Sequence, residues 1–117
     1  MAITRPATYK PWTPATAVAA DSAVVGVGPT ALHRMWITNI SAAAAYLMMF
    51  DAAAVPANGV VPRFPVLKIA PGQTFSLDPG GDPIILETGL CWAASSTYDV
   101  LAVTSSAPFQ VVSQVEV

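Results

Sequence analysis

The chain is short of charge. Of its 117 residues, five are Lys or Arg and seven are Asp or Glu, 10% in all, where ordinary soluble domains carry about 25%. It has one cysteine, Cys91, and one histidine, His33. A lone cysteine excludes an internal disulfide and any cysteine-rich zinc site, and with one histidine a metal cluster would have to be built mainly of carboxylates. The net charge is −2, and Arg5, Lys10, Arg34, Arg63 and Lys68 stand singly. The clustered cations that neutralise phosphates are missing, so no nucleic-acid partner is expected. A long apolar run is missing too. The best candidate, residues 42–55, carries Asp51 and meets Pro56, well short of the roughly 20 apolar residues of a membrane span, so no membrane partner is expected. Near the start, Pro11 and Pro14 interrupt the short apolar patch that a secretory signal needs, and synthesis in the cytoplasm is expected.

What the chain has instead is small and apolar residues. Hydrophobic residues make up 54%, and 21 of them are alanine. A single domain of this length buries roughly two thirds of the surface its unfolded chain exposes, enough for a core without metal or disulfide. Its surface is left with few charges to keep a solitary monomer soluble, so neighbours are expected to cover part of it. Eleven prolines and seven glycines cut the sequence into apolar segments of a length that suits an all-β sandwich or barrel rather than a helix bundle. Residues 1–20 hold Pro6, Pro11 and Pro14 and keep no period, which reads as an extended Pro-rich arm. Residues 21–117 read as one domain with strands at 22–27, 32–40, 45–51, 66–70, 74–77, 84–87, 90–95, 100–104 and 109–117.

Local chemistry sharpens several of these. "AYLMMFD" has good helix propensity, but Asn39 and Ser41 before it and Asp51 and Pro56 after it fit a strand length better. Residues 36–40 and 46–50 are therefore expected to pair as antiparallel neighbours across 41–44. Residues 52–65 read as a long irregular loop, with Asn58-Gly59 as a turn, and long loops are often functional or partner-bound. In "PVLKIAPGQTFSLDPGGDP", Pro71 and Gly72 suit the two central positions of a type II turn, and a hairpin is expected around them. In "FQVVSQVEV", Phe109, Val111, Val115 and Val117 share one face, while Gln110, Gln114 and Glu116 share the other.

No chemical site emerges. His33 lies within a strand, no nucleophile-elbow glycine pattern accompanies it, and a surface or subunit-contact role fits it. Cys91 in "GLCWAAS" reads as a small buried hydrophobe rather than a reactive thiol. Asp78 and Asp82 bracket "DPGGDP", where turn formation accounts for them better than a calcium loop, whose alternating ligands and terminal Glu are absent. Gly26 and Gly28 lack the following glycine or lysine of a phosphate cradle and mark a strand end. Trp36, Phe50, Phe75 and Trp92 fall in strand patterns and are expected in the core. Tyr9 and Trp12 lie on the arm, and Phe64 lies between Arg63 and Pro65 at the end of the long loop. These aromatics suit anchors on a neighbouring subunit, or a fold-back over the parent domain. With Arg5, Asn58 and Arg63 they form the expected assembly interface.

The segment 32–104 resembles a pattern in small virion structural proteins of tailed bacteriophages. The shared features are a strand ending in Asn39-Ile40-Ser41-Ala42, an apolar strand ending in Met49-Phe50-Asp51, and an Ala- and Pro-rich loop. The segment "PVLKIAPGQTFSL" at 65–77 and a "GLxxAxSxT" segment at 89–97 complete it. The resemblance implies a non-enzymatic antiparallel β-sandwich, with a jelly-roll-like form among the options, and no cofactor. It implies binding to a major capsid protein, other virion proteins or its own copies, with a trimer favoured. The role implied first is capsid decoration or cement, in the virion after synthesis in the bacterial cytoplasm. The alternatives are a tail, neck or head-fibre component and, from another class, a glycan-binding adhesion module.

Overall fold

The computed structural model describes residues 19–62, 64–79 and 81–116. Eight strands form two antiparallel sheets, and there is no helix among the described residues. They are β1 (Ser22–Val27), β2 (Thr30–Asn39), β3 (Ala45–Asp51), β4 (Leu67–Ile69), β5 (Thr74–Leu77), β6 (Ile84–Leu86), β7 (Gly89–Ser95) and β8 (Phe109–Glu116). One sheet has the order β1-β7-β3-β4. In the other, the long strand β2 is flanked by β5 and β6 and pairs with β8. Of the all-β sandwich or barrel that the punctuation suits, the structure is the sandwich, antiparallel as the resemblance implies. The connections β1–β2, β2–β3, β4–β5, β6–β7 and β7–β8 all pass from one sheet to the other.

Period-2 patterning explains the layers. Leu32, Met35, Ile37, Leu86, Phe109 and Val115 from one sheet meet Leu47, Met49, Ile69, Leu90, Trp92 and Ala94 from the other in a single buried core. The rings of Trp92 and Phe109, 6.1 Å apart at centroid and tilted by 46°, bridge the layers. Between Leu32 and Arg34 the β2–β8 register slips. That bulge places an extra residue, His33, on the strand and keeps Leu32 and Met35 both facing inward.

Two expected hairpins are not hairpins. Residues 36–40 do not pair with 46–50: β2 and β3 lie in different sheets, so 41–44 is an arch between layers. The Pro71-Gly72 reversal forms as expected, with Gln73 N donating to Ala70 O at 3.0 Å and Gly72 at φ 75°, but the strands on either side of it separate, β4 to β3 and β5 to β2. The turn chemistry dictates a reversal, whereas the partner is chosen by which face each strand must bury. The two arches lie side by side, and Asn39 ties them together. Fully buried, its amide Nδ2 donates to Ala43 O (2.9 Å) and Ile69 O (2.8 Å), and its Oδ1 accepts from Ser41 N (2.9 Å). Its backbone also accepts from Gly72 N and donates to Gln73 O. Every polar group that burial would otherwise leave unpaired therefore has a partner.

Two further expectations are corrected. Residues 100–104 make only the isolated bridge Ser95–Val103, because their other backbone groups bond to the long loop and to the turn after β7. Trp36 is 38% exposed on the outer face of β2, because the alternation that sends Met35 and Ile37 inward sends Trp36 out. Phe50 and Trp92 are buried as expected, and Phe75 packs partly against the core. At the end of the expected arm, Ala20 already belongs to the sandwich, exchanging both backbone bonds with Phe109.

Candidate assembly surfaces

The outer face of the β1-β7-β3-β4 sheet is covered by the chain itself. Met48, Phe50, Cys91 and Ala93 point outward from β3 and β7 and are buried under Leu101, with Val55, Val66 and Val103 packed around them. A satellite core beneath long loops is the usual way such a face is closed. Backbone bonds hold the lid in place. Gly59 N donates to Leu101 O (2.7 Å) and Leu101 N to Val60 O (2.9 Å), while Asn58 Oδ1 accepts from Val103 N (2.9 Å). Below it, buried Ser95 donates its hydroxyl proton to Thr97 O and accepts from the N–H of Thr97 and Ala102, which folds the segment after β7 back over the sheet. Asp51 secures the opposite end, accepting from Thr88 N at 2.8 Å and from the N–H of Glu87 and Gly89 at 3.2 Å. Gly89 has room for no side chain: a Cβ there would lie 2.6 Å from Gly26 O and 2.7 Å from Ala52 O.

This lid carries exposed apolar side chains. Val60, Val61 (66% exposed) and Tyr98 (65% exposed) project from it, and the Tyr98 ring stands edge-on to Tyr46 at 6.0 Å. A depression of 390 Å³ is lined by Ala43–Ala45 and by Ser96, Thr104 and Ser106, among others. Sequence reasoning singled out Asn58 on this loop but passed over Val60, Val61 and Tyr98. Val60 and Val61 sit in the recognised loop "NGVVP", where two adjacent valines in an irregular segment were the available signal.

The expected interface residues divide. Arg5, Tyr9, Trp12 and Arg63 lie outside the described residues. Asn58 is exposed at the loop tip while its carbonyl holds Val103. Phe64 is half-buried against the main core, so only part of its ring is available to a neighbour.

Of the residues weighed for chemistry, His33, Asp78 and Cys91 have structural partners. His33 Nε2 lies 2.8 Å from Glu116 Oε1, joining β2 to β8. Arg34 Nε is 3.6 Å from Asp78 Oδ2, both half exposed. Cys91 Sγ lies 3.0 Å from Ala52 O, to which it donates, and burial pushes its thiol pKa up, the opposite of what a nucleophile needs. Among the described residues, no three His, Cys, Asp or Glu side chains come together as a metal site.

No family model matches the chain, and no curated protein matches it. Among solved structures, the coat protein of Tobacco streak virus aligns over 99% of this chain and 91% of its own, at 13% identity and a TM-score of 0.44.

Proposed function

We propose that the chain is a non-enzymatic structural component of a bacteriophage virion, and that its role is to decorate and cement the major capsid lattice. One observation carries the reading: on a sandwich with so few charges, the lid presents Val60, Val61 and Tyr98 to solvent. Exposed apolar side chains grouped on one element mark association sites, and repeated small contacts multiplied by symmetry are how a lattice-bound protein gains strength. The sequence resemblance of residues 32–104 supplies the setting, and the structural partners of His33 and Cys91 agree with a binding role. In this reading Asn58, Arg63 and Phe64 belong to the contact made by the long loop, and Arg5, Tyr9 and Trp12 to a second contact made by the arm, with a homotrimer as the assembling unit.

The test is co-sedimentation of the purified protein with shells built of the major capsid protein of its own particle. Saturable binding is expected, and Val61→Asp combined with Tyr98→Asp should weaken it by on the order of tenfold or more, as loss of an aromatic anchor does, with an unchanged circular dichroism spectrum. Cryo-electron microscopy of virions separates decoration, at lattice positions, from a neck or tail role. A protein that stays monomeric at high concentration and ignores particles of every kind would end this reading.

A further inference from the structure

The chain has two asparagines, and their surroundings set them apart. Asn39 is fully buried and is followed by β-branched Ile40, whose own nitrogen donates to Pro108 O at 2.8 Å. Asn58 stands exposed at the tip of the lid and is followed by Gly59. The backbone nitrogen that follows an asparagine can attack its carboxamide and close a cyclic imide, and a side chain on the following residue hinders the approach. Gly59 has no such side chain, and even a Cβ built there would meet nothing within 4 Å. Both groups that the reaction needs are nevertheless tied down. Gly59 N donates to Leu101 O at 2.7 Å, and Asn58 Oδ1 accepts from Val103 N at 2.9 Å. Nucleophile and carboxamide are thus clipped to the same neighbouring segment, 101–103.

We propose that Asn58 is a site of spontaneous covalent modification for which the lid itself is the latch: it stays an asparagine while Leu101 O holds Gly59 N, and it deamidates when the lid opens. Water is the co-reactant. The Gly59 nitrogen gives up its proton and forms a bond to Asn58 Cγ. The bond from Cγ to the carboxamide nitrogen breaks, and that nitrogen leaves as ammonia, with a proton in place of the bond it lost. Water then cleaves either of the two carbonyl–nitrogen bonds of the imide. One cut leaves an aspartyl residue, and the other routes the backbone through Cβ as an isoaspartyl residue. Nothing is oxidised or reduced, and both products carry a new negative charge. The aspartyl form still offers an oxygen to Val103 N. The isoaspartyl form adds a carbon to the backbone and shortens the side chain, so it cannot reach Val103 N while Gly59 N stays on Leu101 O. A lid that has opened once is then kept from closing fully over the satellite core, where Leu101 is buried. Local opening of this kind is an ordinary fluctuation of a loop held by a few backbone bonds; here it leaves a permanent record. The inference does not depend on the virion reading.

Incubation of the full chain at mildly alkaline pH, followed by peptide mapping with mass spectrometry, tests it. In urea Asn58 is expected to convert readily, and in the native chain on the order of tenfold or more slowly. Asn39 serves as the internal control, slow in both because Ile40 hinders the attack. Hydrogen exchange gives the readout specific to the latch. The Gly59 amide must leave Leu101 O both to exchange and to attack, so relative to the unfolded chain the two processes should be slowed by the same factor, within about threefold. Leu101→Ala, which loosens the lid, should speed both; should that variant not fold, the comparison within the native chain still decides. Conversion as fast in the native chain as in urea would overturn the proposal, as would conversion while the Gly59 amide remains protected, no conversion in urea, or a folded Leu101→Ala with native rates. So would an isoaspartyl product, separated by its extra charge, whose Val103 amide exchanges no faster than in the unconverted chain.

Discussion

The two outer faces of this sandwich are finished in opposite ways. On the β1-β7-β3-β4 sheet, Met48, Phe50, Cys91 and Ala93 face outward and are sealed beneath loops, with Leu101 buried at the centre of the seal. On the sheet of β2, β5, β6 and β8, the outward positions carry polar pairs, Thr38 with Thr74 at 2.9 Å, His33 with Glu116 and Arg34 with Asp78, and Trp36 and Ile85 stand exposed among them. A strand pattern that is apolar on both faces commits the chain to cover it, whereas one that alternates leaves the face open. The covered face therefore depends on side-chain packing for stability, and the open face depends on it little.

Substitutions can break or sharpen that contrast. Leu101→Ala should remove the seal and cost about 2–4 kcal/mol, as buried leucine truncations do, measured by denaturant unfolding. Asn58→Ala, which takes away the acceptor of Val103 N, should cost about 1 kcal/mol and speed exchange at the Val103 amide. On the same face, the Cys91 thiol should resist an aromatic disulfide reagent in the native chain and react after unfolding. Its raised pKa favours the neutral thiol in the folded state. The associated stability is fully present below the unfolded-chain value near 9.0, and it is lost as pH rises from there through the folded value; a urea midpoint falling below pH 9 in step with thiol ionisation would contradict this. The smallest effect is expected on the open face. Arg34→Ala breaks an exposed ion pair and should change stability by no more than about 0.5 kcal/mol. A larger loss there would erase the distinction between the faces.

The same contrast explains what could be read from the sequence. Strand positions were legible because they follow from side-chain alternation and turn residues, both local: Ser22–Val27, Ala45–Asp51 and Thr74–Leu77 fall where the pattern places them. Even the turn type at Pro71-Gly72 was legible. Pairing was not, because nothing within residues 65–77 says that β4 and β5 must go to different layers. That choice depends on β2 and β3, far away in the chain. Trp36 was misplaced for a related reason, since bulk argues for the core while its position between Met35 and Ile37 argues for the surface, and position prevailed. The surface candidates were legible only in part. Asn58 stood out as a turn former, whereas Val60, Val61 and Tyr98 became recognisable once the lid that exposes them was known.

Asn39 has a consequence for how the molecule assembles itself. Its amide closes one arch through Ala43 and the neighbouring arch through Ile69, so neither bend gains its full set of contacts until the other is in place. Such mutual dependence between segments about thirty positions apart delays the reward for ordering either one. The two halves are thus expected to form in one cooperative step, with a rate set by the meeting of distant segments rather than by the speed of any single turn.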